Sequence, residues 1–135
     1  MFAILNGVRI LDFSTIVLGP YATQMLGDFG AEIIKIENLD GDLFRTVRPG
    51  RSAKMGAGFI NSNRNKRSLT LNLKTDEGRQ LFYRLVKTAD VVVHNMRVGV
   101  AERLGIDYES VRKIRPDVIY VHSTAYGSTG PEARK

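Results

Sequence analysis

No self-evident catalytic group stands out in the sequence, and the residues best suited to chemistry are cations and amides placed near the ends of apolar runs. Arg97 follows His94-Asn95-Met96 directly after the β-branched run Asp90 to Val93, and precedes the helical pattern Val98 to Leu104. An arginine between a strand end and a helix is placed to face a ligand, and its planar fork suits phosphate or carboxylate. The segment Ser14 to Pro20 occupies the corresponding place after the first apolar run, and its backbone amides are expected to face an anion at the helix start. Read on spacing alone, Gly19-Pro20 is more simply a tight turn. The run Asn61 to Ser68, NSNRNKRS, mixes basic residues with asparagines in a composition suited to phosphate or ribose, or to a plain polar turn. His94 and His122 have no carboxylate partner marked in the sequence and read as packed or hydrogen-bonded rings rather than bases. No carboxylate pair, Ser-His-Asp grouping, metal cluster, GxGxxG or Walker pattern is present.

These residues need a frame, and the stretch Val8 to Glu37 supplies its first unit. Val8, Ile10, Leu11 and Phe13 form one strand-like run, and Ala31 to Ile36 form a second after Gly30. Between them Ala22, Met25, Leu26 and Phe29 recur at helical spacing, with Pro20 in the first turn and Gly30 as the stop. Strand, helix and strand within about thirty residues make a βαβ crossover, hence a parallel sheet with helices on its faces and ligands at the carboxyl ends of its strands.

The chain continues in the same rhythm. Asn38 to Asn65 breaks the pattern with Gly41, Pro49, Gly50, Gly56 and Gly58 and reads as a long surface segment with a functional role. Leu69, Leu71 and Leu73 alternate with polar residues, an edge-strand pattern closed by Lys74. Thr75-Asp76-Glu77 opens a helix whose buried face is expected at Leu81, Phe82, Leu85 and Val86. A strand at Asp90 to Val93, a short helix at Asp107 to Lys113 and a strand at Val118 to His122 follow, and the last loop has no closing helix after it. The fold class is therefore α/β, a Rossmann-like parallel sheet with flanking helices, and the expected unit is an incomplete large domain spanning residues 1 to 135.

Composition narrows the partners. With 43% hydrophobic and 25% charged residues in 135, the chain has the make-up of one soluble globular unit. Cysteine is absent, which removes disulfides and thiolate chemistry and fits a reducing, cytoplasmic setting. No apolar run reaches membrane-span length, and the start lacks the features of a signal peptide. A net charge of +6 calls for an anionic partner, yet 8% aromatics and no tryptophan give nucleic acid little support. A smaller polyanion, or a merely solvated basic face, fits as well.

Several segments together resemble the class III CoA-transferases, the family of formyl-CoA transferase, carnitine CoA-transferase and α-methylacyl-CoA racemase. The segments are LNGVRILDFS, LGPYATQMLGDFGAEIIKIE, NSNRNKRSLTLNLKTDEGRQLF and ADVVVHNMRVGVAERLGIDYESVRKIRPDVIYVHSTAYGSTGP, in that order over nearly the whole chain. The resemblance implies a Rossmann-like CoA-binding portion of a larger enzyme that forms an interlocked homodimer, with acyl-CoA and a carboxylic acid as substrates and no permanently bound cofactor. By the same resemblance Leu71 and Lys74 lie near the nucleotide. Asn95, Met96 and Arg97 lie beside pantetheine and phosphates, with Arg103 and Leu104 on the following turn. Asn38 stands where some relatives have arginine, weakening one phosphate contact. Val17 departs from the glutamine of formyl-CoA transferase, arguing against that substrate. The family's nucleophilic aspartate, which forms an acyl anhydride and then an enzyme-CoA thioester, is expected beyond Lys135, as is the racemase's His/Asp pair. Transferase is the preferred reading, with racemase and a non-catalytic nucleotide-binding or assembly fragment as alternatives.

Overall fold

The computed structural model describes residues 3–133, which form one five-stranded sheet, parallel throughout. The strands are β1 (Arg9–Asp12), β2 (Glu32–Glu37), β3 (Lys66–Thr70), β4 (Val91–His94) and β5 (Ile119–His122), in the spatial order β3-β2-β1-β4-β5. The helices are α1 (Leu18–Asp28), α2 (Ala57–Ser62), α3 (Asp76–Val86), α4 (Val100–Leu104) and α5 (Tyr108–Arg112). The chain moves outward from β1 through β2 to β3, then crosses back to lay β4 on the other side of β1. The junction of β1 and β4 is thus the topological switch point, and the crevice outside their carboxyl ends is where ligands of such sheets bind.

Alternation along β1 divides the core between the two faces of the sheet. Leu11 joins a large cluster with Phe82 and Val86 of α3, Ala101 of α4 and Val111 of α5, while Ile10 joins Ile33, Val93 and the half-buried Leu26 of α1. Phe13 meets Phe82 edge-on at 5.4 Å in the larger cluster. Thr75 caps α3 by accepting the Gly78 N–H, and Asp76 and Glu77 stand in its first turn where the dipole favours them. Gly78 is required there, because a Cβ would lie 1.9 Å from the Asn72 carbonyl oxygen. Of the face expected for α3, Phe82 and Val86 are buried, Leu85 is half-buried and Leu81 is exposed.

Three expectations are corrected. Most of the apolar stripe expected for α1 is not its buried face: Ala22, Met25 and Phe29 are exposed and Leu26 is half-buried, whereas Gly19, Pro20, Thr23, Gln24 and Gly27 are buried. Small and polar residues face the sheet because the helix lies close to it and exchanges hydrogen bonds with it. A Cβ on Gly19 would fall 2.3 Å from the Ser14 side chain, and the Thr23 hydroxyl donates to Asp12 at 2.7 Å. The helix stops as expected at Gly30, whose φ of 101° closes a Schellman pair, Ala31 N–H to Leu26 O and Gly30 N–H to Gly27 O.

The second correction concerns Asn38 to Asn65, which is not a structureless loop. It contains a 3₁₀ turn (Leu43–Arg45) capped by Asp42 and the short helix α2, whose Phe59 is buried beneath the Arg45 guanidinium at 3.8 Å. The strand expected at Leu69 to Lys74 also shifts earlier. β3 runs Lys66–Thr70 and is an edge strand, while Leu71 and Leu73 are buried in the turn that follows.

Candidate functional site

At the switch point the end of β1 is held by a buried charge network. Asp12 accepts from Ser14 N–H at 2.9 Å and from the Ser14 hydroxyl on one oxygen, and from Thr23 and Lys66 Nζ (2.9 Å) on the other. Lys66 Nζ also donates to the Pro20 carbonyl at 2.7 Å and to Asn63 at 3.0 Å, so every proton of the ammonium has an acceptor. Lys35 Nζ donates to the Ser14 carbonyl at 2.8 Å and pairs with Asp42 at 2.9 Å, both side chains 2% exposed or less. Burial by itself would raise the Asp12 carboxyl, but Lys66, Lys35 and the two hydroxyls outweigh it and hold the group below its ordinary range. Burial pulls Lys66 down against the opposing pull of Asp12.

This network redirects the amides of the Ser14 to Pro20 segment. Ser14 N–H goes to Asp12, Thr15 N–H to Asn95 Oδ1 at 3.0 Å, and Ile16 N–H to Asp42 at 3.2 Å. Those three amides are therefore engaged by the protein's own side chains, two of them carboxylates, and not free to meet an external anion. Ile16 adopts a φ of 70°, rare for a β-branched residue, and the Asp42 carboxylate holds it there. Asn95 completes the tie by donating Nδ2 to the Thr15 carbonyl at 3.0 Å, which links the segments after β1 and β4 across the crevice.

The NSNRNKRS cations are likewise engaged within the chain. Arg64 pairs with Asp28 at 2.6 Å, Arg67 with Glu32 at 3.0 Å, and Lys66 is buried against Asp12. The run is not a simple polar turn either: Asn61 and Ser62 end α2, Asn63 to Asn65 connect, and Lys66 to Ser68 begin β3. Glu37, bonded by Arg45, Asp42 N–H and Ser68, is held near pKa 2 despite burial that would raise it.

Two adjoining clefts open at the carboxyl ends of the strands and share Asn95, Met96 and Val100. One, of about 320 Å³, lies between the ends of β1, β2 and β4 and is lined by Asn38, Leu71, Lys74 and Leu104 as well as by Lys35 and Asp42. The other, of about 600 Å³, is lined by Arg97, Gly99, Arg103 and the segment Ser123 to Tyr126 after β5. Eight of the nine residues singled out in the sequence line one or both clefts. The ninth, Val17, is the N-cap of α1 and lines neither. Leu71 is a buried part of the floor, Asn38 turns its side-chain oxygen to the Asp40 N–H at 3.0 Å, and Lys74, Arg97 and Arg103 are exposed. Among the described residues these three cations form no ion pair with a carboxylate, unlike Arg9, Arg45, Arg64, Arg79 and Arg115. Gly99, at φ 84°, opens α4 and brings Arg103 to the same mouth, where its Nη1 passes 3.4 Å from the position a Cβ would occupy.

Sequence reasoning did not identify Lys35 and Asp42 as part of this site. The signal was present in EIIKIE, where one lysine interrupts a strand buried on both faces and so demands a buried acid. Among the described residues no three His, Asp or Glu side chains gather as a metal-ligand set, and no helix is long and apolar enough to cross a membrane.

The molecule is a parallel α/β sheet with helices against it and clefts at its switch point rimmed by exposed cations. The family model described as CoA-transferase family III matches residues 5–135, and the chain belongs to that family. It is 41% identical to an acyl-CoA transferase of Fusarium pseudograminearum over 94% of this chain and 30% of that protein. It is 42% identical to a succinyl-CoA:mesaconate CoA-transferase of Haloarcula marismortui over 91% of this chain and 32% of that protein. A crystal structure of a CAIB/BAIF family protein from Brucella suis superposes with a TM-score of 0.94 at 40% identity, over all of this chain and 37% of that one. The chain thus spans about a third of the length of the relatives it matches.

Proposed function

We propose that this chain is the CoA-gripping part of a transferase that moves CoA from an acyl-CoA thioester to a carboxylic acid. The observation that carries the reading is the convergence of three exposed cations without carboxylate partners, Lys74, Arg97 and Arg103, on the joined clefts at the strand ends. CoA offers a diphosphate and a ribose phosphate to such a rim, while its apolar linker and base match the Leu71, Leu104 and Met96 walls. Several relatives carry names of succinyl-CoA transferases, which favours small dicarboxylates as the acid partner.

In this reading the protein binds and orients the thioester through the clefts, and the covalent steps belong to an aspartate outside these 135 residues. That carboxylate attacks the thioester carbonyl and expels CoA as thiolate; the thiolate then attacks the anhydride, releasing the first acid and leaving an enzyme-bound thioester. The second acid repeats the exchange and leaves as the new CoA ester. Homodimer formation belongs to the same reading and is supported by the exposed apolar stripe Leu18, Tyr21, Met25 and Phe29 of α1.

The test is an exchange assay on the full-length protein with succinyl-CoA and a panel of mono- and dicarboxylic acids, read by mass spectrometry of the CoA esters. Formation of a new CoA ester supports transfer. Deuterium wash-in at the α-carbon of a 2-methylacyl-CoA without any new ester would instead assign a racemase, and neither product with CoA still bound would assign a non-catalytic binding role.

A further inference from the structure

The last residues of β4 and β5, His94 and His122, are paired in register across the sheet, and their rings stack at 4.1 Å with planes 24° apart. Both rings act on a single residue's backbone. Met96 N–H donates to His94 Nδ1 at 3.3 Å, and the Met96 carbonyl lies 2.8 Å from His122 Nε2. These partners dictate the tautomers, since a ring nitrogen facing an N–H must be bare and one facing a carbonyl must carry hydrogen. His94 therefore keeps Nδ1 bare with its proton on Nε2, and His122 carries a proton on Nε2.

The arrangement has a cost that packing does not require. His94 is 1% exposed and its Nε2 has no hydrogen-bond partner among the described residues, although buried donors are nearly always satisfied. Rotating the ring would free Nε2 and break the bond to Met96. Met96 is also no ordinary turn residue, because it lies in the wall common to both clefts, between Asn95, which ties Thr15, and Arg97, which faces the open mouth.

We propose that His94 and His122 are positioning residues that clamp the Met96 backbone and so set the Asn95–Arg97 wall against which CoA lies. The inference rests on the CoA reading of the clefts. The groups facing the pair are Tyr120, edge-on to His94 at 5.3 Å with its hydroxyl donating to the Ile106 carbonyl, and beyond it Asp107 and Glu102, which act on Tyr120. Burial first, and His122 second, lower His94 to about 4, so the His94 ring stays neutral at ordinary cellular pH.

The test compares variants of the full-length protein by CoA titration. His94→Asn keeps an acceptor for the amide two residues on, as an Asx turn does, whereas His94→Leu keeps apolar bulk and loses the acceptor. CoA affinity should stay within about threefold of wild type for Asn and fall about ten-fold or more for Leu. Wild-type affinity in the Leu variant, or equal losses in both, would overturn the clamp. If His94→Leu does not fold, His122→Phe keeps the stacked ring and removes the donor. It should then lose affinity by a similar factor, and unchanged binding would overturn the proposal.

Nitrogen-15 NMR of the imidazoles without ligand supplies an independent readout, with the Nε2–H tautomer expected for both rings and Nδ1–H on His94 contradicting it. Failure of the wild-type protein to bind CoA would overturn the site reading and the purpose assigned to the clamp. The tautomers would still separate an intact clamp from an absent one.

Discussion

Lys35 and Lys66 keep their ammonium groups inside the protein, each with a carboxylate at 2.9 Å, while Lys74, Arg97 and Arg103 stand at the cleft mouth. Side chains of similar chemistry thus do opposite work, the first pair fixing the segment after β1 and the three others remaining available to an anion. Removing one partner of a buried pair leaves the other charge without compensation, so Lys66→Met should destabilise the fold by about 3–5 kcal/mol. Urea unfolding of the variant measures this, and a change under about 1 kcal/mol would mean that Asp12 finds other support. Arg97 was legible in the sequence because its place between strand and helix sufficed. The roles of Lys66 and Arg64 were not, since NSNRNKRS gives no hint that Asp12, Asp28 and Glu32 converge on it from three other elements.

The strands, α3 and the order of the elements follow from period-two and period-3.6 patterns, and the Rossmann-like α/β class was readable for that reason. Helix α1 shows the limit of the same reasoning. Its periodicity correctly announces a helix, but most of the apolar stripe faces outward because close approach to the β1 and β2 strands selects Gly19, Thr23 and Gly27 for the inner face. The stretch after β2 was read as loop because its glycines mask a 3₁₀ turn and α2, which depend on long-range contacts such as Arg45 over Phe59. Glycine placement also yields a prediction for α3. Gly78→Ala would drive a Cβ into the Asn72 carbonyl, so the variant should lose about 2 kcal/mol or more through displacement of the helix start. Thermal unfolding checks this, and an unchanged midpoint would show that the Asn72 turn yields freely.

Across the whole molecule the depressed groups all act in one direction with pH. His94 is held neutral to about 4 against an ordinary 6.5, so below 6.5 the unfolded chain binds the extra proton and stability falls until about pH 4. Glu37, ordinarily 4.5 and held near 2, adds a second loss as pH falls from 4.5 toward 2. Around neutral pH stability should therefore be level, and on acidification below 6.5 it should decline in two stages, the first of roughly 2–3 kcal/mol from the histidine. Denaturant midpoints across this range test it, and His94→Asn should remove the upper stage alone. A midpoint that rises between pH 6.5 and 4 would contradict the burial of a neutral His94.

The central claim is that the joined clefts at the β1–β4 switch point grip CoA through exposed cations, and calorimetric titration with CoA and 3′-dephospho-CoA tests it most directly. Saturable binding that weakens without the 3′-phosphate, and that falls about ten-fold in Arg97→Ala with a smaller loss for a ligand stripped of phosphates, is the predicted result. No binding by the folded protein, or an Arg97→Ala loss equal for both ligands, would contradict it.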